Sequence, residues 1–79
     1  MMSNFLPSRL EEEVRLACHW VEHQCGCSPY DDLWFLAVTE YEYAHDDAEL
    51  YRTWREQYNY VEEVIWKEAQ RFVDMVRGA

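Results

Sequence analysis

The chain has 79 residues, 16 of them acidic against 7 basic, for a formal net charge of −9, with 49% hydrophobic and 16% aromatic side chains. That length sets a single domain with a modest core, because a chain this small buries only ~60% of the surface its unfolded form exposes, and the apolar content excludes a disordered tail. The charge weighs against nucleic acid and anionic membrane as direct ligands, since both would repel it.

The opening stretch MMSNFLPSRLEEE has no apolar run of signal-peptide length, and no later segment reaches the ~18 uninterrupted apolar residues of a membrane span, so a cytoplasmic protein is expected. Ser8 with Glu11, Ser28 with Asp31 and Asp46 with Glu49 each have the spacing of a capping box, and Pro29 suits a first helical position. These starts predict helices over about 9–25, 29–44 and 47–77, an all-α three-helix bundle in one domain, 1–79. In the first helix Leu10, Val14, Ala17, Cys18, Val21 and Cys25 fall on one apolar stripe, and Gly26 supplies the left-handed residue that ends it. The second is apolar around much of its circumference, with Tyr30, Leu33, Trp34, Ala37 and Tyr41 on one side and Phe35, Leu36 and Tyr43 on others. That pattern predicts a central helix contacted from two sides.

In the third helix Leu50, Trp54, Tyr58, Val61, Ile65, Ala69, Phe72 and Val76 recur at intervals of four and three, an eleven-residue repeat that fits a nearly straight helix. Unbroken from 47 to 77 it would be ~45 Å long, about twice either predecessor. Its far half would then need another partner such as a second copy of the chain, a homodimer, unless the helix folds back at Asn59. Off-stripe Tyr60 and Trp66 suit such a dimer contact as well as an exposed aromatic surface.

Residues 19–27, HWVEHQCGC, contain the H-x-x-E-H pattern of one class of zinc peptidases. On a helix, however, His19 and His23 stand about 130° from Cys18 and Cys25, so no single ion collects all four. A metal site would need Cys27 to swing back past Gly26, giving His19, His23 and Cys27 as a minor zinc-binding alternative. Three cysteines, two of them ~10 Å apart along one helix, predict reduced thiols. No phosphate loop or nucleophile elbow is present, a zinc peptidase would need a distant third ligand and a much larger fold, and neither an enzyme nor a cofactor is expected.

The acidic tract carries more information. Thirty-six residues between Arg15 and Arg52 hold no Lys or Arg but contain Glu22, Asp31, Asp32, Glu40, Glu42, Asp46, Asp47 and Glu49. Clustering of one sign costs stability through self-repulsion, which a small domain has little margin to absorb. Tyr41 and Tyr43 alternate with Glu40 and Glu42, and aromatic anchors inside a carboxylate rim are the composition of an interface with a basic protein. The expected partner-binding residues are Asp31, Asp32, Glu40, Tyr41, Glu42, Tyr43, Asp46, Asp47 and Glu49, and the expected partner is a nucleic-acid-binding protein whose basic surface they occupy. In size, acidity and lack of catalytic motifs the chain resembles phage-encoded DNA-mimic and anti-CRISPR inhibitors, which implies a stoichiometric inhibitor working in the host cytoplasm. The alternative is a self-associating helical adaptor whose acidity serves only solubility.

Overall fold

The computed structural model describes residues 6–46 and 53–78, without the side chains of residues 45, 46 and 54. Three helices, α1 (Ser8–Cys25), α2 (Tyr30–Asp46) and α3 (Trp54–Val76), form the predicted all-α bundle, and no strand occurs among the described residues. Side chains of α1 meet those of α3 at a constant sequence offset of 53, Arg9 with Glu62, Glu13 with Trp66 and Gln24 with Arg77, so the two helices run parallel and in register. Glu40 meets Tyr60 while Tyr41 meets Tyr58, which sets α2 antiparallel to α3. The architecture is therefore up, down, up.

The helix ends differ from the three predicted boxes. Pro7, with ψ 147°, is the last extended residue before α1, and its carbonyl accepts the N–H groups of Leu10 and Glu11 at 2.9 Å. Ser8 thus lies inside the helix and cannot cap it. Pro29 likewise sits just before α2, its carbonyl accepting the Leu33 N–H at 3.0 Å, while the Ser28 hydroxyl lies 3.6 Å from the Cys18 thiol rather than over the helix start. Asp46 ends α2 and does not begin α3; Glu49 lies outside the described residues. The capping box that does form is Thr53 with Glu56: the Thr53 hydroxyl accepts the Glu56 N–H at 3.2 Å, and the Glu56 carboxylate accepts the Thr53 N–H at 3.1 Å. Thr53 is extended, φ −122° and ψ 155°, so a continuous helix from 47 to 77 is excluded. Replacing Thr53 by alanine removes the hydroxyl acceptor and should cost about 1 kcal/mol of unfolding free energy in urea. An unchanged midpoint would mean that the box contributes nothing.

Gly26 closes α1 as expected, at φ 78°, with its N–H donating to the Glu22 carbonyl at 2.9 Å. Asn59 is an ordinary exposed residue within α3 and breaks nothing.

The core consists of Leu6, Leu10, Val14, Ala17, Cys18 and Val21 from the first segment, Leu33, Ala37 and Val38 from α2, and Val61, Ile65, Ala69 and Val73 from α3. Each fully buried aliphatic side chain contributes roughly 1.5–3 kcal/mol relative to an exposed one. On α3 the buried row keeps to intervals of four, along a ridge inclined to the helix axis, and so reaches Val73. Val76, placed on the stripe by the eleven-residue repeat, is half exposed. Leu50 is outside the described residues.

At 23 residues α3 is about 35 Å long, and α1 accompanies it from Glu62 to Arg77. The uncovered far half that would call for a second copy does not arise. Tyr60 and Trp66 are also occupied within the chain: Tyr60 donates its hydroxyl proton to Glu40, and the Trp66 indole N–H donates to Glu13 at 2.8 Å while its ring meets Trp20 edge-on at 6.0 Å.

Candidate protein-binding face

All three helices pack against one another, and α2 is contacted from two sides, by α3 and by α1. Residues Leu33, Ala37, Val38 and Ala44 of α2 are buried, yet part of its apolar circumference still faces outward. Phe35 is 65% exposed and Tyr43 52% exposed. At 100° per residue Asp31, Glu42, Phe35, Thr39, Asp32 and Tyr43 occupy one arc of about 120° on the side opposite Leu33 and Ala37, with half-buried Leu36 at its edge. Phe35 and Tyr43 are two turns apart, a rise of about 12 Å. Between them Thr39 turns its hydroxyl back onto the Phe35 carbonyl at 2.9 Å, so the residue separating the two rings is short and already hydrogen-bonded.

This arc divides the predicted site. Asp31, Asp32 and Tyr43 are exposed on the outward face, and Glu42 lies half-buried on the same arc. Glu40 and Tyr41 lie on the flanks toward α3: Glu40 is half-buried and accepts the Tyr60 hydroxyl, and Tyr41 packs edge-on against Tyr58 with ring centroids 6.3 Å apart. Burial, reinforced by the neighbouring Tyr58, raises the Tyr41 phenol above the ordinary tyrosine range, so it remains a neutral packing residue. The Asp46 side chain, Asp47 and Glu49 lie outside the description. Phe35, absent from the predicted set, is the most exposed large apolar side chain of the bundle's described residues. Its position opposite Leu33 and Ala37 was available from the helical repeat.

Charge is distributed unevenly over the helices. Arg9 pairs with Glu62 at 3.1 Å, Arg15 with Glu11 and Glu12 at 3.4 and 3.6 Å, Lys67 with Glu63 at 3.6 Å and Arg71 with Glu68 at 3.2 Å, all on α1 and α3. Helix α2 contains no Lys or Arg, and Asp31 and Asp32 are exposed in its first turn without an ion-pair partner among the described residues. There the positive end of the helix dipole favours them, which offsets part of their mutual repulsion. The arrangement therefore presents exposed carboxylates and two exposed rings on one face of a helix without a basic residue.

The histidine and cysteine stretch resolves differently. His19 and His23 are exposed on the outer side of α1, with His19 Nδ1 3.4 Å from the Glu22 carboxylate. Cys27 is exposed and is not brought together with them into a ligand group. No group of three or more His, Cys, Asp or Glu placed to hold a metal occurs among the described residues. Among those residues, too, no helix is long and apolar enough to cross a membrane.

No protein-family model, curated protein or solved structure matches this chain.

Proposed function

We propose that the protein is a small acidic binding module that docks the outward face of α2 on a basic surface of a partner, one that otherwise grips DNA or RNA, and thereby acts as a stoichiometric inhibitor in the cytoplasm. The observation that carries this reading is the coexistence, on one helix without a basic residue, of exposed Phe35 and Tyr43 with the carboxylates of Asp31, Asp32 and Glu42. A solvated acidic face kept for solubility has no use for two exposed rings, and an apolar contact between copies of this chain has no use for carboxylates of one sign around it. Aromatic anchors inside a charged rim suit a partner that offers lysine and arginine around apolar recesses.

The test is competition. Proteins retained by the immobilised chain from a nucleic-acid-processing extract should lose their grip on a DNA or RNA duplex in a mobility-shift assay as the free protein is added, with an end point near one to one. Excess duplex should in turn elute them. Retained proteins that bind nucleic acid equally well in the presence of the protein would rule out occupation of that surface.

A further inference from the structure

The connection between α1 and α2 carries two thiols side by side. Cys25 is the last residue of α1, Gly26 turns the chain through the left-handed region at φ 78°, and Cys27 follows in the open. The neighbouring Cys25 thiol pushes the Cys27 thiol above the ordinary cysteine range. The Cys25 thiol also reaches the Val21 carbonyl, at 3.3 Å. The third cysteine takes no part: Cys18 is buried and lies beside Ser28.

We infer that Cys25 and Cys27 form a redox-active dithiol, which closes to an intramolecular disulfide by exchange with a small-molecule disulfide of the glutathione class. Residues two apart are separated by at most ~7 Å between Cα atoms even when extended, and the turn at Gly26 shortens that span. It thereby enters the ~4.4–6.8 Å range in which disulfides form. Glycine is the residue that lets the intervening backbone adjust, and a side-chain carbon at Gly26 would meet nothing within 4 Å, so ring closure is unobstructed.

The exchange proceeds in two displacements. The Cys27 thiol, accessible to the reagent, loses its proton to solvent; its sulfur attacks one sulfur of the small disulfide and expels the other as a thiolate, which takes up a proton. The Cys25 sulfur, across the Gly26 turn from Cys27, then attacks the protein sulfur of the mixed disulfide and releases the second small thiol. In sum two protein thiols are oxidised, one disulfide is reduced to two thiols, and the two protons end on the released thiols. Closure also removes the Cys25 thiol proton from the Val21 carbonyl, so the last turn of α1 senses the redox state.

The full chain, reduced and then freed of reductant, is incubated with oxidised glutathione in mildly alkaline buffer, alkylated under denaturing conditions and cleaved after glutamate. That cleavage separates Cys18 from a fragment, residues 23–40, that holds Cys25 and Cys27. The expected result is a fragment lighter by two hydrogen atoms with neither thiol alkylated, and Cys18 alkylated as before. Exposed Cys27 can be replaced without disturbing the core, and Cys27→Ser should abolish closure and leave Cys25 either alkylated or carrying glutathione. A stable glutathione adduct on Cys27 of the wild-type chain, a bond to Cys18, a disulfide-linked dimer or two free thiols would each overturn the inference.

Discussion

Replacing Ile65 by alanine is expected to destabilise the protein by about 2–5 kcal/mol, the range for truncating a buried aliphatic side chain in a core that relaxes only in part. Ile65 has no exposed surface and occupies the buried row of α3, the helix against which both α1 and α2 pack, so the cavity would open where all three elements converge. A domain of this size has roughly 4–12 kcal/mol of stability in total, and one kcal/mol moves its midpoint by about 4–8 °C. The variant should therefore melt at least ~10 °C below the wild-type chain, or not fold at 37 °C at all. Leu16→Ala provides the comparison: Leu16 is half exposed on the outer side of α1 and should change stability by no more than ~0.5 kcal/mol. Urea and thermal denaturation of the two proteins side by side measure the difference. A loss below ~1 kcal/mol at Ile65 would show that the three helices do not share one cooperative core.

The core was legible in the sequence because it depends on periodicity. Leu10, Val14, Ala17, Cys18 and Val21 recur at helical spacing and are buried together, as are Val61, Ile65 and Ala69. The helix starts were less legible, since Ser-x-x-Glu and Ser-x-x-Asp are short patterns and a nearby proline decides between them. Pro7 and Pro29 take the position just before the helix, where a residue without an N–H donor loses nothing, and so leave Ser8 and Ser28 out of place as caps. Thr53-x-x-Glu56 had the same credentials and was obscured by the unbroken apolar spacing from Leu50 onward, which the helix itself does not follow past Thr53.

The candidate face was legible in charge but not in shape. The absence of Lys and Arg from Leu16 to Tyr51 is a property of the sequence alone, and the exposed carboxylates Asp31 and Asp32 follow from it. Which tyrosine faces outward does not. Tyr41 and Tyr43 look equivalent in EYEY, yet two residues on a helix are 200° apart, and the direction of α3 sends Tyr41 onto Tyr58 and leaves Tyr43 in solvent. The histidine pattern had the same limit: H-x-x-E-H records a spacing, whereas a metal requires convergence, and no group of three or more candidate ligands converges among the described residues.

Charge reversal on α2 is expected to separate the two components of the proposed interface. Changing Asp31, Asp32 and Glu42 to lysine adds two charges at each position and takes the formal net charge from −9 to −3. Asp31 and Asp32 are exposed, and half-buried Glu42 lies away from core residues Leu33 and Ala37, so the helical circular dichroism should persist. Against a partner isolated by the wild-type chain, the triple variant should associate more slowly by ~10-fold to 1000-fold at low ionic strength, because steering by a field of one sign acts on the encounter rate. Raising salt should slow the wild-type protein toward the variant, as the Debye length falls from ~30 Å at 0.01 M to ~10 Å at 0.1 M. The double variant Phe35→Ser with Tyr43→Ser keeps every charge and should leave association nearly unchanged while accelerating dissociation, at a cost of about 2 kcal/mol or more for each ring that fills a desolvated recess. Association and dissociation rates read from the immobilised partner at several salt concentrations distinguish the cases. Unchanged rates in the triple variant would remove α2 from the interface altogether. Normal dissociation in the double variant would leave an electrostatic contact without anchors, in which case Phe35 and Tyr43 owe their exposure to something other than this partner.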